Sequence, residues 1–130
     1  MNIGRIEIET ISEESDINFI EERDWFKFDI VKENHGFHVQ ILKNGQYIFV
    51  SLILNSRGFP IEHIEFYMQE SEEEVLEELI RILNLLNLKI SRVSENKKRK
   101  SIKFTVEIRE NDKWVKFGYP GTEEISEAST

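Results

Sequence analysis

The sequence predicts an α+β fold: an antiparallel β-sheet of about six to eight strands with one principal amphipathic helix packed on one face. Three observations support this fold class. An Asn-Gly pair lies between two apolar runs, several further segments alternate apolar and polar side chains, and one later segment changes to a helical period. Such a chain buries its core between the sheet and the helix.

The hairpin centred on Asn44 and Gly45 is the strongest local signal. This pair favours a two-residue type I′ turn, because both residues tolerate the positive φ angles that the turn requires. Counting outwards pairs His38 with Ser51 and fixes the register of both strands. Because successive side chains point to opposite faces, one face of the hairpin is wholly apolar and belongs to the core, while the other is mixed and carries two aromatic rings. The apolar face consists of Phe37, Val39, Ile41, Ile48, Val50 and Leu52.

Other segments also alternate with a period of two. They predict strands at residues 25–32, 61–68, 101–109 and 113–119. The first of these joins the hairpin to give a three-stranded meander. Weaker patterns predict strands at residues 3–10 and 89–93, and residues 94–100 form a charged connection. Residues 11–24 fit either a short helix or an irregular loop.

The period changes from two to 3.6 after Ser71. Ser71 and Glu74 have the spacing of a capping box, and the acidic residues of the first turn meet the positive end of the helix dipole. Apolar side chains then recur on one stripe, opposite a charged face. The stripe consists of Val75, Leu76, Leu79, Ile80, Ile82, Leu83 and Leu86. This pattern predicts a helix of about four to five turns that covers the sheet.

Length and composition predict a single domain. A chain of 130 residues without cysteine is long enough for one cooperative core, and it excludes disulfide scaffolds and thiol catalysis. Residues 1–120 are expected to form the α+β domain, and the polar, acidic residues 121–130 a disordered tail. The longest nearly apolar stretch has eight residues, too few to span a membrane as a helix, and no signal peptide is recognisable. A cytoplasmic location is therefore expected.

The net charge of −8 is unevenly distributed along the chain. Residues 1–30 and residues 62–78 are rich in acids, and the second of these blocks contains no base. One basic cluster opposes them, and it consists of Arg92, Lys97, Lys98, Arg99 and Lys100. Acidic surfaces repel nucleic-acid phosphates and attract basic proteins. The distribution of charge therefore favours a protein partner over nucleic acid.

No catalytic, cofactor or metal motif is present in the sequence. The six glycines lack the spacing of nucleotide-binding loops, and no His-Glu-x-x-His motif occurs. Of the three histidines, His35, His38 and His63, the second falls beside Ser51 on the mixed sheet face. A serine beside a histidine invites a nucleophile interpretation, but a surface histidine in a sheet is the more common case. We predict no catalytic residue, no cofactor and no metal.

The favoured function is a small acidic protein-binding module rather than an enzyme, of the kind that inhibits a basic partner as immunity proteins and antitoxins do. The predicted partner-binding residues lie on the exposed helix face and on the mixed sheet face, and they are Glu72, Glu73, Glu77, Glu78, Tyr47 and Phe49. A homodimer that uses the basic cluster is a further expected association, and no membrane contact is expected.

Two alternatives stay open. One is a small-ligand-binding protein or enzyme with a pocket between sheet and helix that contains His38, Ser51 and His63. The other is a nucleic-acid-associated regulator that uses the basic loop at residues 97–100.

Overall fold

A computed structural model describes residues 2–54, 60–67, 71–99, 101–118 and 121–124, with side chains for residues 2–54, 71–97, 99 and 104–117. Over these residues the chain forms two helices and nine strands. In chain order they are α1 (Arg5–Ser15), β1 (Phe19–Glu21), β2 (Trp25–Val31), β3 (His35–Leu42), β4 (Tyr47–Leu54), β5 (Pro60–Tyr67), α2 (Glu72–Leu88), β6 (Ser91–Lys98), β7 (Ser101–Glu110), β8 (Lys113–Gly118) and β9 (Gly121–Glu124).

The predicted α+β class is confirmed, with antiparallel strands and α2 as the principal helix. The strands divide between a five-stranded sheet, in the order β1-β2-β3-β4-β5, and a four-stranded sheet, in the order β6-β7-β8-β9. Every described pair of neighbouring strands is antiparallel. The division falls at α2, because this helix interrupts the series of strands between β5 and β6.

The hairpin of β3 and β4 has the predicted register, in which residues 37–41 pair with residues 48–52. Its turn differs from the prediction. Gly45 has a positive φ of 74°, whereas Asn44 does not, so the two-residue type I′ turn is wrong. The Asn44 side chain instead closes the turn, since its Oδ1 accepts a hydrogen bond from the Gln46 N–H at 2.9 Å.

Helices α1 and α2 lie next to each other over the apolar face of the five-stranded sheet. The predicted cap of α2 is present, because Ser71 Oγ accepts a hydrogen bond from the Glu74 N–H at 3.4 Å. The buried side chains of both helices and both sheets form one core cluster. Its largest fully buried members are Phe26, Phe28, Phe37, Phe117, Ile8, Ile41, Ile48, Leu79, Ile82, Leu83 and Leu86.

The N-terminal segment is a helix, so the strand predicted for residues 3–10 is wrong. Helix α1 buries Ile8 and Ile11, which are three residues apart, and leaves Ile6 76% exposed. A strand would have placed Ile6 and Ile8 on the same face. The helix ends at Asp16, whose φ of 53° is left-handed.

The second sheet extends further at both ends than the sequence pattern indicated. Strand β6 pairs with β7 in continuous register from Ser91 to Lys98, so the connection predicted at residues 94–100 is largely strand. A polar segment can form an edge strand because the ladder uses only backbone groups. Strand β9 pairs with β8 within the segment predicted to be a disordered tail, and residues 125–130 lie outside the described residues.

Candidate functional site

The predicted acidic residues of α2 lie on its solvent side. Glu73 and Glu77 are exposed, whereas Glu72 and Glu78 are half-buried. Glu78 is paired with Arg81, whose Nε lies 3.1 Å from the Glu78 Oε2. Among the residues that the structure describes, Glu73 and Glu77 make no ion pair. Their charges are therefore not neutralised by these parts of the chain.

Helix α1 also carries exposed carboxylates, and its last turn lies beside the C-terminal end of α2, about 15 Å along that helix from Glu77. It contacts α2, and the two helices are joined where the Asn87 Nδ2 donates to the Ser15 carbonyl at 3.4 Å. Its exposed Glu13 and Glu14 also make no ion pair within the described ranges. The sequence pattern missed these two residues because residues 11–24 fitted both a helix and a loop. We call Glu13, Glu14, Glu73 and Glu77 the acidic helix surface.

Tyr47 and Phe49 lie on the other side of the five-stranded sheet. Both are half-exposed, and their rings stack with centroids 5.6 Å apart and an interplanar angle of 17°. The helices cover the opposite face, which carries the alternate residues Ile48 and Val50. The structure therefore does not bring the predicted acidic and aromatic residues together, and a flat partner surface meets one set or the other.

The positions of the predicted histidine pocket instead form a row across the five-stranded sheet, away from the helices, and Ser51 in this row is only 6% exposed. Ser51 pairs with His38 on one side and with His63 on the other, and the His63 side chain lies outside what the structure describes. The His38 Nε2 lies 3.0 Å from the Asp29 Oδ1, a neighbour that the sequence pattern did not single out. The structure shows no hydrogen bond between His38 and Ser51. Burial lowers the pKa of His38, Asp29 opposes this shift and Lys27 adds to it.

The basic cluster lies at the far end of the second sheet. Lys97 is exposed near the end of β6 and Arg99 is exposed in the turn that follows. Lys97 Nζ lies 4.0 Å from Glu95 Oε1, a loose contact between two exposed groups. The side chain of residue 98 and the whole of residue 100 lie outside the described residues.

Arg92 was assigned to the basic cluster by its charge, but its guanidinium contacts other residues. Its Nη2 lies 2.7 Å from Oε2 of Glu107, whose side chain is only 3% exposed. The same guanidinium lies 4.0 Å from the centre of the Trp114 ring. Arg92 would have to leave a buried carboxylate before it could bind a phosphate, and that is costly.

A further group of polar side chains, not predicted from the sequence, lies where the two sheets meet. Lys32, in the turn between β2 and β3, donates from Nζ to the carbonyls of Asn87 at 2.9 Å and Lys89 at 3.2 Å. These carbonyls are at the end of α2, whose own last turn contains no basic residue. Lys32 thus places a cation at the negative end of the helix dipole, and burial lowers its pKa.

His35 is joined to Ser91 across this junction. The His35 Nε2 lies 2.7 Å from the Ser91 Oγ, and the ring packs edge-on against Phe37 with centroids 5.3 Å apart. His35 is only 6% exposed, and burial together with the nearby charge of Lys32 lowers its pKa. The imidazole is therefore neutral at pH 7 and has one donor and one acceptor nitrogen.

Two cavities open beside this pair. One, of about 330 Å³, lies between residues 32–35 and residues 88–91. The other, of about 350 Å³, is also bounded by Leu54, Val93 and Phe104. Asn34, His35 and Ser91 line both. Their volumes fall within the range of small-molecule pockets, and both combine polar and apolar walls.

The sequence contained one signal for this site. Alternation along β3 places His35 on the same face as Phe37, hence in the core, where a buried imidazole needs a hydrogen-bond partner. The partner itself could not be predicted, because Ser91 is separated from His35 by 56 residues and lies in another sheet.

Comparison with known proteins gives no relative of this chain. No protein-family model, curated protein or solved structure matches it. Within the described residues, neither helix has the length and apolar character needed to cross a membrane. Over the same residues, no three side chains of His, Cys, Asp or Glu are grouped so as to hold a metal ion.

Proposed function

We propose that the protein is a small acidic protein-binding module that holds a basic protein on its acidic helix surface, as an inhibitor of the immunity or antitoxin kind. The observation that carries this proposal is the presence of four exposed carboxylates on two adjacent helices, none of them in an ion pair among the described residues. Carboxylates without internal partners remain available to lysine and arginine side chains of another protein.

The distribution of charge along the whole chain also favours a basic partner on the acidic helix surface. Residues 1–90 contain 18 acids and eight bases, whereas residues 91–118 contain nine bases and four acids. The chain is therefore polarised between its N-terminal part and its second sheet. Such a field attracts a basic protein toward the acidic end and accelerates encounter at low salt.

The packing of α2 makes the surface a rigid one. Six apolar side chains of α2 are buried, so the backbone that carries Glu73 and Glu77 is fixed against the sheet. A carboxylate on a fixed helix loses less freedom on binding than one on a loop. The stacked Tyr47 and Phe49 form a separate surface, and they are the natural comparison when the interface is tested.

The test is capture of a partner from a lysate of the native host, with the purified chain as bait. We expect a basic protein to be retained at low salt and released as salt rises. Glu73→Gln combined with Glu77→Gln should weaken its binding at least about fivefold. The matched control combines Glu22→Gln with Asp112→Asn, which removes the same charge from exposed positions elsewhere.

Three results would count against the proposal. Equal weakening by the helix pair and the control pair would show that net charge, and not this surface, controls binding. A loss of binding on Phe49→Ala, with the helix pair unaffected, would move the interface to the sheet. The inhibitor function itself would be refuted if no basic protein is captured and if the chain also fails to restore the growth of cells that express a toxin encoded beside it.

A further inference from the structure

The cavities at the junction of the sheets have features of a site for a small anion. Lys32 lines the first cavity, and an ammonium has three N–H donors, of which the carbonyls of Asn87 and Lys89 use two. Ser91 offers a hydroxyl to both cavities and is hydrogen-bonded to a neutral His35. When the Nε2–H of His35 donates to the Ser91 Oγ, the Ser91 hydroxyl hydrogen is left for a ligand, and a bound anion then meets a charged donor and a hydroxyl donor at one place.

The charged residues in the cavity walls show where an anion would bind. They are Lys32, Lys89, Arg92, Glu33 and Glu95, and the guanidinium of Arg92 is already paired with the buried Glu107. Lys32 is half-buried and fixed by two hydrogen bonds to carbonyls, whereas Glu33 and Glu95 are exposed. Burial is the main cause of the lowered pKa of His35, and the charge of Lys32 adds to it.

The rim of the first cavity is apolar. Leu88 and Ile90 line it and are 72% and 69% exposed, a high exposure for large aliphatic side chains. Covering such surface is favourable by roughly 25 cal/mol for each Å² removed from water. The site therefore combines hydrogen-bond donors for an anion with an exposed aliphatic rim.

We propose that the junction of the two sheets binds a small amphipathic monocarboxylate, with its carboxylate beside Lys32, Ser91 and His35 and its hydrocarbon chain against Leu88 and Ile90. This site is independent of the proposed partner function. It lies at the C-terminal end of α2, about 15 Å along the helix from Glu77 at 1.5 Å per residue.

Octanoate is the probe. Octanol, which lacks the charge, and acetate, which lacks the hydrocarbon chain, are the comparison compounds. The binding is followed by NMR, through the imidazole signals of His35 and the methyl signals of Leu88 and Ile90. We expect saturable shifts with octanoate at millimolar concentration, and binding of octanol and of acetate at least about tenfold weaker.

Leu88→Ser combined with Ile90→Ser tests the rim in a variant that should still fold, because both side chains are exposed. It should weaken octanoate binding at least about fivefold. The control, Ile6→Ser, removes an equally exposed aliphatic side chain from α1 and should change the affinity less than about twofold. The proposal is overturned if octanol binds as tightly as octanoate, if the control weakens binding as much as the rim variant, or if the His35 signals do not move.

Discussion

Replacement of Lys32 by methionine tests the contact that joins the β2–β3 turn to the end of α2. Methionine keeps an apolar side chain of similar length but removes the donor to the carbonyls of Asn87 and Lys89. A hydrogen bond from a charged donor contributes roughly 1.5–3 kcal/mol, and a cation at a helix C-terminus roughly 0.3–1 kcal/mol. Because Lys32 is only half-buried, water replaces part of what is lost.

We therefore expect Lys32→Met to lower the free energy of unfolding by about 1–2 kcal/mol, which corresponds to a fall in Tm of about 3–10 °C for a chain of this size. The assay is urea and thermal unfolding followed by circular dichroism, with hydrogen exchange of the amides in the last turn of α2. Lys27→Met is the matched control, because the Lys27 side chain lies on the outer sheet face and makes no hydrogen bond among the described residues. Equal stability of the two variants, or exchange that rises evenly along α2, would refute the role given to Lys32.

Two further predictions concern residues next to this contact. The pKa of His35 is lowered from its ordinary value of 6.5 in the folded chain, so the unfolded chain binds the proton more readily. Above about pH 6.5, His35 therefore does not reduce the free energy of unfolding. This free energy falls as the pH drops from 6.5 toward the lowered pKa of His35. His35→Asn should remove this part of the decline, and a pH-independent difference in unfolding free energy between wild type and variant would contradict the assignment. Gly36→Ala places a Cβ 2.8 Å from the Ile30 carbonyl oxygen, a backbone atom that cannot move aside, so we expect a loss of about 1–3 kcal/mol by urea unfolding. An unchanged urea midpoint would contradict the clash.

The parts of the fold that were predicted correctly depend on local patterns. The register of β3 and β4 follows from one Gly-containing turn and from alternation, even though the turn has another conformation. The start of α2 follows from Ser71 and its spacing to Glu74. In each case the residues that determine the structure lie within a few positions of one another, so a pattern along the chain is sufficient to identify it.

The parts that were missed depend on contacts between distant segments. The isoleucines of α1 fit two patterns. Ile6 and Ile8 have the spacing of a strand, whereas Ile8 and Ile11 have the spacing of a helix, and packing against α2 and β1 selects the helix. The hydrogen bond between His35 and Ser91 joins two sheets, and no spacing rule predicts it. The same is true of Lys32, whose partners are supplied by the end of a helix that is 55 residues away.

The separation of the acidic and aromatic residues has a simpler cause, which is present in the sequence. Alternation along β4 places Tyr47 and Phe49 on the face opposite Ile48 and Val50, and a helix that covers the apolar face must present its own polar side away from the sheet. The two surfaces therefore face in opposite directions whatever the details of packing. A substitution on either surface therefore leaves the other surface intact. The variants of Glu73 and Glu77 and the variant of Phe49 accordingly test separate surfaces, and binding of a second copy of the chain through its basic cluster should respond only to the first.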